Sequence, residues 1–402
     1  MSGAAAMLDL DGVGFGQGAH VLLRRALGNL RPGARVGVRG TDPALAVHLA
    51  AWCRARGHPV ELPSPAQDEP VRAWVIRGTA ETDRWAGAER AGTAGLVQLA
   101  DEPPAHWGLA VRGALVEAGG PAVAYDLGEK EHVWADLAPR LYAQAAAAQW
   151  DPATAVPWDA EFELPAEIET AVVQVMTYLV ENEQAALVLP ARFLARIHPH
   201  FREVQQLLAV QAADEARHME VFTHRASLTG DLLGTSSVSG RMSLFTLLSE
   251  PDFSLASFLL SVLGEGSFLS LLAFLDRHAP DPVTRAVTRL ARHDEARHVA
   301  FGVAHLEHQS TLDPGLRARM RAAVERRHDA LAGTAGLNED VFDALVVLAA
   351  GSWEPHAIAS GFEAVRRLED DMYSGRVRRL VRLGFPAGEA AEVSALHTRN
   401  FM

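Results

Sequence analysis

The pentapeptide Asp-Glu-Ala-Arg-His occurs twice, as Asp214-Glu215-Ala216-Arg217-His218 and as Asp294-Glu295-Ala296-Arg297-His298. Each copy sits within a stretch of helical spacing, VQQLLAVQAADEARHMEVF and VTRLARHDEARHVAFGV. On a helix, Glu and His three residues apart share a face, so each copy can aim a carboxylate and an imidazole at one ion. A lone Glu-x-x-His is usually a solvated pair, and the repeat is what gives it weight. Two copies on two helices make a symmetric set, which needs two further carboxylates from the remaining helices of a bundle.

One of these stands out. Glu265 is the only acid inside SFLLSVLGEGSFLSLLAFL, one helix and a turn before Glu295. Upstream of the first copy, TYLVENEQAALVL offers both Glu181 and Glu183. Glu183 shares its helix face with Val172, Met176, Leu179, Val180 and Leu187, whereas Glu181 sits with Gln174, Thr177 and Gln184. A ligand must face the core, so Glu183 is preferred and Glu181 is the alternative. Four buried carboxylates without a cation would be prohibitively costly. The expected site is therefore two metal ions held by Glu183, Glu215, His218, Glu265, Glu295 and His298. Carboxylates with imidazoles suit iron or manganese better than zinc or copper.

The elements that must carry these residues form three stretches, and the fold class expected is α+β. Residues 1–75 read as an α/β unit: a helix over 20–30, a Pro32-Gly33 turn, a strand at 34–40, a helix opened by Asp42-Pro43 and ended by Gly57, and a strand at 58–62. A first strand is expected at 7–11. Residues 76–139 read as an extension or connector, with short strands at 71–78 and 121–127. Residues 140–402 are helical, with apolar spacing over 165–189, 200–228, 253–276, 281–309, 314–332, 338–349 and 355–381. Pro190, Pro199, Pro251 and Pro280 are expected near helix boundaries. The C-terminal run RLEDDMYSGRVRRLVRL reads as a solvated helix, and the final helices as closing the bundle or making a homodimer contact.

The bulk numbers bound the function. The 402 residues are 49% apolar and 22% charged, with a net charge of −13. That charge argues against binding nucleic acid or an anionic membrane. The single cysteine, Cys53, excludes an intrachain disulfide and any Cys-based zinc or iron–sulfur site. Cys53 itself is read as a packing residue. No signal peptide is recognised at the start, and no apolar stretch is judged long enough to span a bilayer. The expected location is cytoplasmic.

Two resemblances follow from these motifs. The pattern E…ExxH…E…ExxH over about residues 140–310 resembles the ferritin-like di-iron carboxylate superfamily. The Asp-Glu-x-Arg-His form is especially similar to its oxygen-activating branches: hydrocarbon monooxygenases, acyl-carrier desaturases, and natural-product N-oxygenases and halogenases. The resemblance implies that Asp214 orients His298 and that Asp294 orients His218, fixing tautomer and ring angle. Arg217 and Arg297 would then balance the aspartates. The run RRALGNLRPGARVGVRGTDPALAVHLAAWCRARGHPVEL resembles the TusA-like sulfur-carrier family, which implies an α/β sandwich. That family's Cys-Pro-x-Pro corresponds to GVGFGQGAH (12–20), with neither Cys nor Pro, so sulfur transfer is not carried over. The domain is read as structural, as a dock for a carrier or reductase protein, or as a cover for the active site.

The implied activity is oxygen-dependent oxidation of a small substrate, amine-bearing or carrier-bound, by N-oxygenation or hydroxylation. Desaturation or halogenation is the alternative, and ferroxidation a more distant one. Two iron ions (or manganese) are the cofactors, O2 is the co-substrate, and an electron-donor or carrier protein is a candidate partner. Phe268, Leu269 and Leu272 are expected to line an apolar pocket. Phe268 and Leu269 occupy the positions where monooxygenases and desaturases carry a Thr. Phe222 stands where a ribonucleotide reductase radical subunit has its Tyr. Ala291 stands where some N-oxygenases have an extra His, with His293 off register. Among the other histidines, His305 lies two turns beyond His298 and could share its stripe, although a place just outside the ligands or at the surface is preferred, while His198, His200 and His308 flank the bundle.

Overall fold

Hydrophobic spacing in the chain alternates at first and then becomes helical, and a computed structural model follows that change. It describes residues 6–62, 71–80, 84–97, 99–332 and 339–397. They divide into two compact units, Met1–Ala94 with Gly113–Pro121, and Gly95–Arg112 with Ala122–Met402.

The first unit runs β1 (Met7–Asp9), α1 (Ala19–Gly28), β2 (Arg35–Gly40), α2 (Leu45–Ala55), β3 (Val60–Glu61) and β4 (Val71–Ile76). The sheet order is β1-β2-β4-β3. β1 is parallel to β2, and β4 runs antiparallel to both β2 and β3. Alternation in β2 buries Val36 and Val38, which pack with Leu23 and Leu27 of α1 and Leu49 and Cys53 of α2. Gly33 and Gly57 have φ of 83° and 69°, the left-handed values that the turn after α1 and the end of α2 require. A two-stranded ladder joins β5 (Glu89–Arg90) to β6 (Leu115–Val116). The strand expected at 121–127 does not form. Among the described residues it has no neighbouring strand to pair with, and it is held by a bridge from Leu127 to Ile197.

The second unit is a helical bundle: α3 (Ala138–Ala147), α4 (Ala166–Leu194), α5 (Arg202–Ala226), α6 (Val238–Leu248), α7 (Phe253–His278), α8 (Pro282–Leu312), α9 (Leu316–Ala332), α10 (Glu339–Ala350), α11 (Pro355–Arg382) and α12 (Ala387–His397). Local signals set the ends. Asp252 caps α7 by accepting from Leu255 N–H, and Asp281 caps α8 by accepting from Thr284 N–H ahead of Pro282. Position 338, expected to start α10, lies outside the described residues. Four long helices, α4, α5, α7 and α8, carry the candidate ligands.

Several expectations are corrected. α4 does not stop at Pro190 but continues to Leu194, because Pro190 is buried in the core and that packing offsets its missing N–H. α7 is, at 26 residues, long and apolar enough to cross a membrane, contrary to the sequence reading; 83% of its most apolar window is buried inside the bundle, as in a core helix. α11 is not simply solvated. It buries Leu368, Met372, Gly375, Arg376 and Leu380, and Arg376 donates to Ser267 Oγ at 3.0 Å. α6 lacks a clear apolar stripe: it exposes Val238 and Phe245 while burying Ser239, Ser243 and Leu247.

Candidate metal centre

Glu215 and His218 on α5, Glu295 and His298 on α8, Glu183 on α4 and Glu265 on α7 all point into the bundle, none more than 4% exposed. Their ligand atoms fall into two groups, each within 4.8 Å: Glu183, Glu215, His218 and Glu295, and Glu215, Glu265, Glu295 and His298. Either group could hold a metal ion. Glu215 and Glu295 belong to both, so they stand between two adjacent positions, with one carboxylate and one imidazole outside on each. Nδ1 of His218 lies 3.1 Å from Glu215, 3.5 Å from Glu295 and 3.7 Å from Glu183. Nδ1 of His298 lies 2.9 Å from Glu215, 3.4 Å from Glu295 and 3.9 Å from Glu265. Glu181 is half-buried and belongs to neither group.

The donor set fits cations. Glu183 Oε1, Glu215 Oε1, Glu265 Oε2, both Glu295 oxygens and His298 Nδ1 are buried without a hydrogen-bond partner. Orphaned buried acceptors are costly, and atoms that converge without bonding one another suit a shared ion. Titration tells the same story. Burial, and then the charges of Glu215 and Glu295, push the Glu183 carboxyl well above the usual range. Burial and the Glu295 charge do the same to Glu265. Burial opposes charge on both imidazoles, yet Asp294 and Glu183 around His218, and Glu215 and Asp214 around His298, hold them well above the ordinary histidine value. Protons there supply positive charge that metal ions would otherwise bring.

Around the ligands lies a crossed layer. Nε2 of His298 faces Asp214 Oδ2 at 3.3 Å, and Nε2 of His218 faces Asp294 Oδ2 at 3.2 Å. Each motif's aspartate therefore serves the other motif's histidine. Leaving Nδ1 for a metal makes Nε2–H the donor, which fixes tautomer and ring angle. Arg217 bonds Asp214 and lies 3.3 Å from Asp294, while Arg297 bonds Asp294 and lies 3.6 Å from Asp214. Their side chains are only 13% exposed, so they are part of the site rather than solvated.

Four contributors escaped the sequence reading. Just beyond α3, Gln149 donates to Asp214 at 3.0 Å and Trp150 Nε1 donates to Asp294 at 2.8 Å. The guanidinium of Arg217 lies 5.0 Å above the Trp150 ring. Nothing in AAAAQWDP marks either residue, because neither repeats nor follows a periodic face. The buried Gln211 amide donates to Glu265 Oε1 at 2.9 Å. Within α7, residues Phe258–Glu265 are π-helical, a widened turn that is common at functional sites. Gly266 follows it. A Cβ there would collide with the Arg379 guanidinium, and Arg379 reaches past it to donate to the Val262 carbonyl at 2.6 Å. The glycine thus lets a cation satisfy a carbonyl of the irregular turn.

Of the residues expected to line an apolar pocket, Phe268 and Leu272 are buried and Leu269 is half-buried. A small cavity beside Gln211 is lined by residues including Ser257, Leu260, Ser261 and Phe301. His305 is a core residue rather than a member of the metal stripe. It contacts Ser254 Oγ at 2.9 Å and the Trp134 carbonyl at 3.0 Å, and burial pulls its pKa down to about 4. His198 and His200 are buried and hydrogen-bonded near the start of α5, with His200 accepting from Ala100 N–H at 3.0 Å. His308 is half-buried and His293 is exposed.

No protein-family model matches this sequence, and no curated protein matches it.

Proposed function

We propose that this chain is a di-iron, oxygen-dependent oxidoreductase of the ferritin-like kind, carrying out N-oxygenation or hydroxylation of a small substrate. The observation that carries the reading is the pair of ligand groups sharing Glu215 and Glu295. Four carboxylates and two imidazoles form an oxygen-rich, hard donor set suited to iron or manganese. Bound there as ferrous ions, the pair would supply two electrons to dioxygen, and an electron-donor protein or the substrate would replace them. The chain's own residues do the rest. Asp214 and Asp294 hold the imidazoles, Arg217 and Arg297 balance the aspartates, and the apolar packing of α7 keeps bulk water from the centre. Burial of the centre is an argument against iron storage, which needs ready passage of ions.

The first unit's β-α-β-α-β-β order supports likeness to the sulfur-carrier fold. No thiol stands at Gly12–His20, and Cys53 is buried with its thiol pushed up to about 11 by burial. We therefore assign it a structural role rather than sulfur transfer.

The test is anaerobic iron loading followed by oxygen exposure with a panel of small amines and acyl carriers. The reading expects oxygen uptake in step with product that has gained one oxygen atom from dioxygen, the other atom leaving as water with the two electrons of the ferrous pair. Iron binding with no oxygen uptake under any substrate would leave a metal protein and remove the enzyme.

A further inference from the structure

The repeat relates the two halves of the centre position by position, and the halves differ. Four residues before the shared Glu215 stands Gln211, and four before Glu295 stands Ala291. Four residues before the outer carboxylate Glu265 stands Ser261, and four before Glu183 stands Leu179. All four are buried. Gln211 donates to Glu265 Oε1 at 2.9 Å. At the Glu183 end the corresponding side chains are apolar and can make no such bond. Glu265 therefore has one oxygen held and the other, Oε2, without a partner.

Gln211, Ser257 and Ser261 line a cavity whose other walls include Leu189, Phe193, Leu208 and Phe301. Its volume of about 10 Å³ holds a single water-sized molecule. Gly302 keeps this wall in place, since a Cβ there would collide with Ser261 Cβ. The π-helical turn of α7 carries both Ser261 and Glu265.

We propose that the Glu265–His298 half is the ligand-exchange side of the centre: Gln211 holds the Glu265 carboxylate aside for a diatomic ligand entering from this cavity, while the Glu183–His218 half stays closed. This rests on the metal-binding reading above. Gln211 is a positioning residue, Ser261 lines the cavity, and the organic substrate must approach by another route because the cavity is too small for it.

Nitric oxide, matched in size to dioxygen, is the probe. Full-length protein is loaded with ferrous iron without oxygen, iron per chain is measured, and nitric oxide binding is followed by its visible absorption band. Gln211→Leu is expected to keep two irons and weaken binding about tenfold, the usual scale for losing a partner of a ligand. Ser257→Val fills the cavity without touching Glu265, and is expected to slow binding about tenfold with an unchanged ferrous spectrum. Leu179→Ala, the matching change at the closed half, is expected to leave binding within about twofold. Unchanged binding in both Gln211→Leu and Ser257→Val, with iron retained, overturns the proposal, as does a larger effect from Leu179→Ala. Should Gln211→Leu fail to fold, Ser257→Val and Ser261→Ala carry the same test. Failure of wild-type protein to bind iron at all would instead sink the functional reading.

Discussion

The two units bury opposite kinds of chemistry. The core of the first is apolar, and the reactive group within it, the Cys53 thiol, is buried and held protonated. The core of the second encloses Glu183, Asp214, Glu215, His218, Glu265, Asp294, Glu295 and His298 in a single cluster. An apolar core stabilises simply by leaving water. A charged core does so only with partners, and here several oxygens lack a hydrogen bond. One unit buries an apolar core, and the other gathers donor groups that could hold a metal ion.

The sharpest way to break that contrast is to remove a shared ligand. Glu295→Ala should abolish binding of both irons, whereas Glu183→Gln should leave one, as read by anaerobic iron titration. Removing metal from wild-type protein should lower the unfolding temperature of the bundle and not that of the first unit. At free iron about a thousand times the dissociation constant, the stabilisation lost is about 4 kcal/mol. A single transition that shifts as a whole would contradict the separation.

Next in size is His305. It is buried neutral, with a folded-state pKa of about 4 against 6.5 for the free side chain. Between those values the unfolded chain binds one more proton than the folded one, so stability falls as pH drops from 6.5 towards 4. The loss approaches about 3 kcal/mol. In metal-free protein, urea denaturation across this range should show a flatter profile for His305→Gln than for wild type.

Trp150→Phe removes the indole N–H from Asp294 and should weaken iron affinity about tenfold, with circular dichroism unchanged. An unaltered affinity would mean that Arg217 and Arg297 suffice to hold Asp294. Gly266→Ala forces Arg379 away from the π turn and should cost about 1–3 kcal/mol, measured by chemical denaturation. Smallest is Cys53→Ala, expected to cost about 1 kcal/mol in the first unit and to leave iron binding untouched. A loss of iron from that variant would mean that the two units are energetically coupled.

What could be read in advance follows from periodicity. Helices α4, α5, α7 and α8 show their stripes, and the Asp-Glu-Ala-Arg-His repeat lies on two of them, so the cluster of buried acids and histidines was legible before the fold was. Choosing Glu183 over Glu181 needed only the apolar neighbours of each. The crossed pairing of Asp214 with His298 and Asp294 with His218 came from resemblance rather than spacing. What stayed hidden depends on three-dimensional approach. Gln149 and Trp150 reach the site from outside the four helices. Gln211 reads as an ordinary polar residue until α7 is placed beside it. A π turn inserts a residue into the register without a distinctive composition, and Arg379 is one of several arginines in a segment that reads as solvated.

The most direct measurement is iron stoichiometry with Mössbauer spectra after anaerobic loading of the full-length protein, before and after oxygen. The account predicts two ferrous ions per chain in unlike environments, both oxidised by oxygen. A stoichiometry near zero, or retention of zinc alone after iron loading, would contradict it.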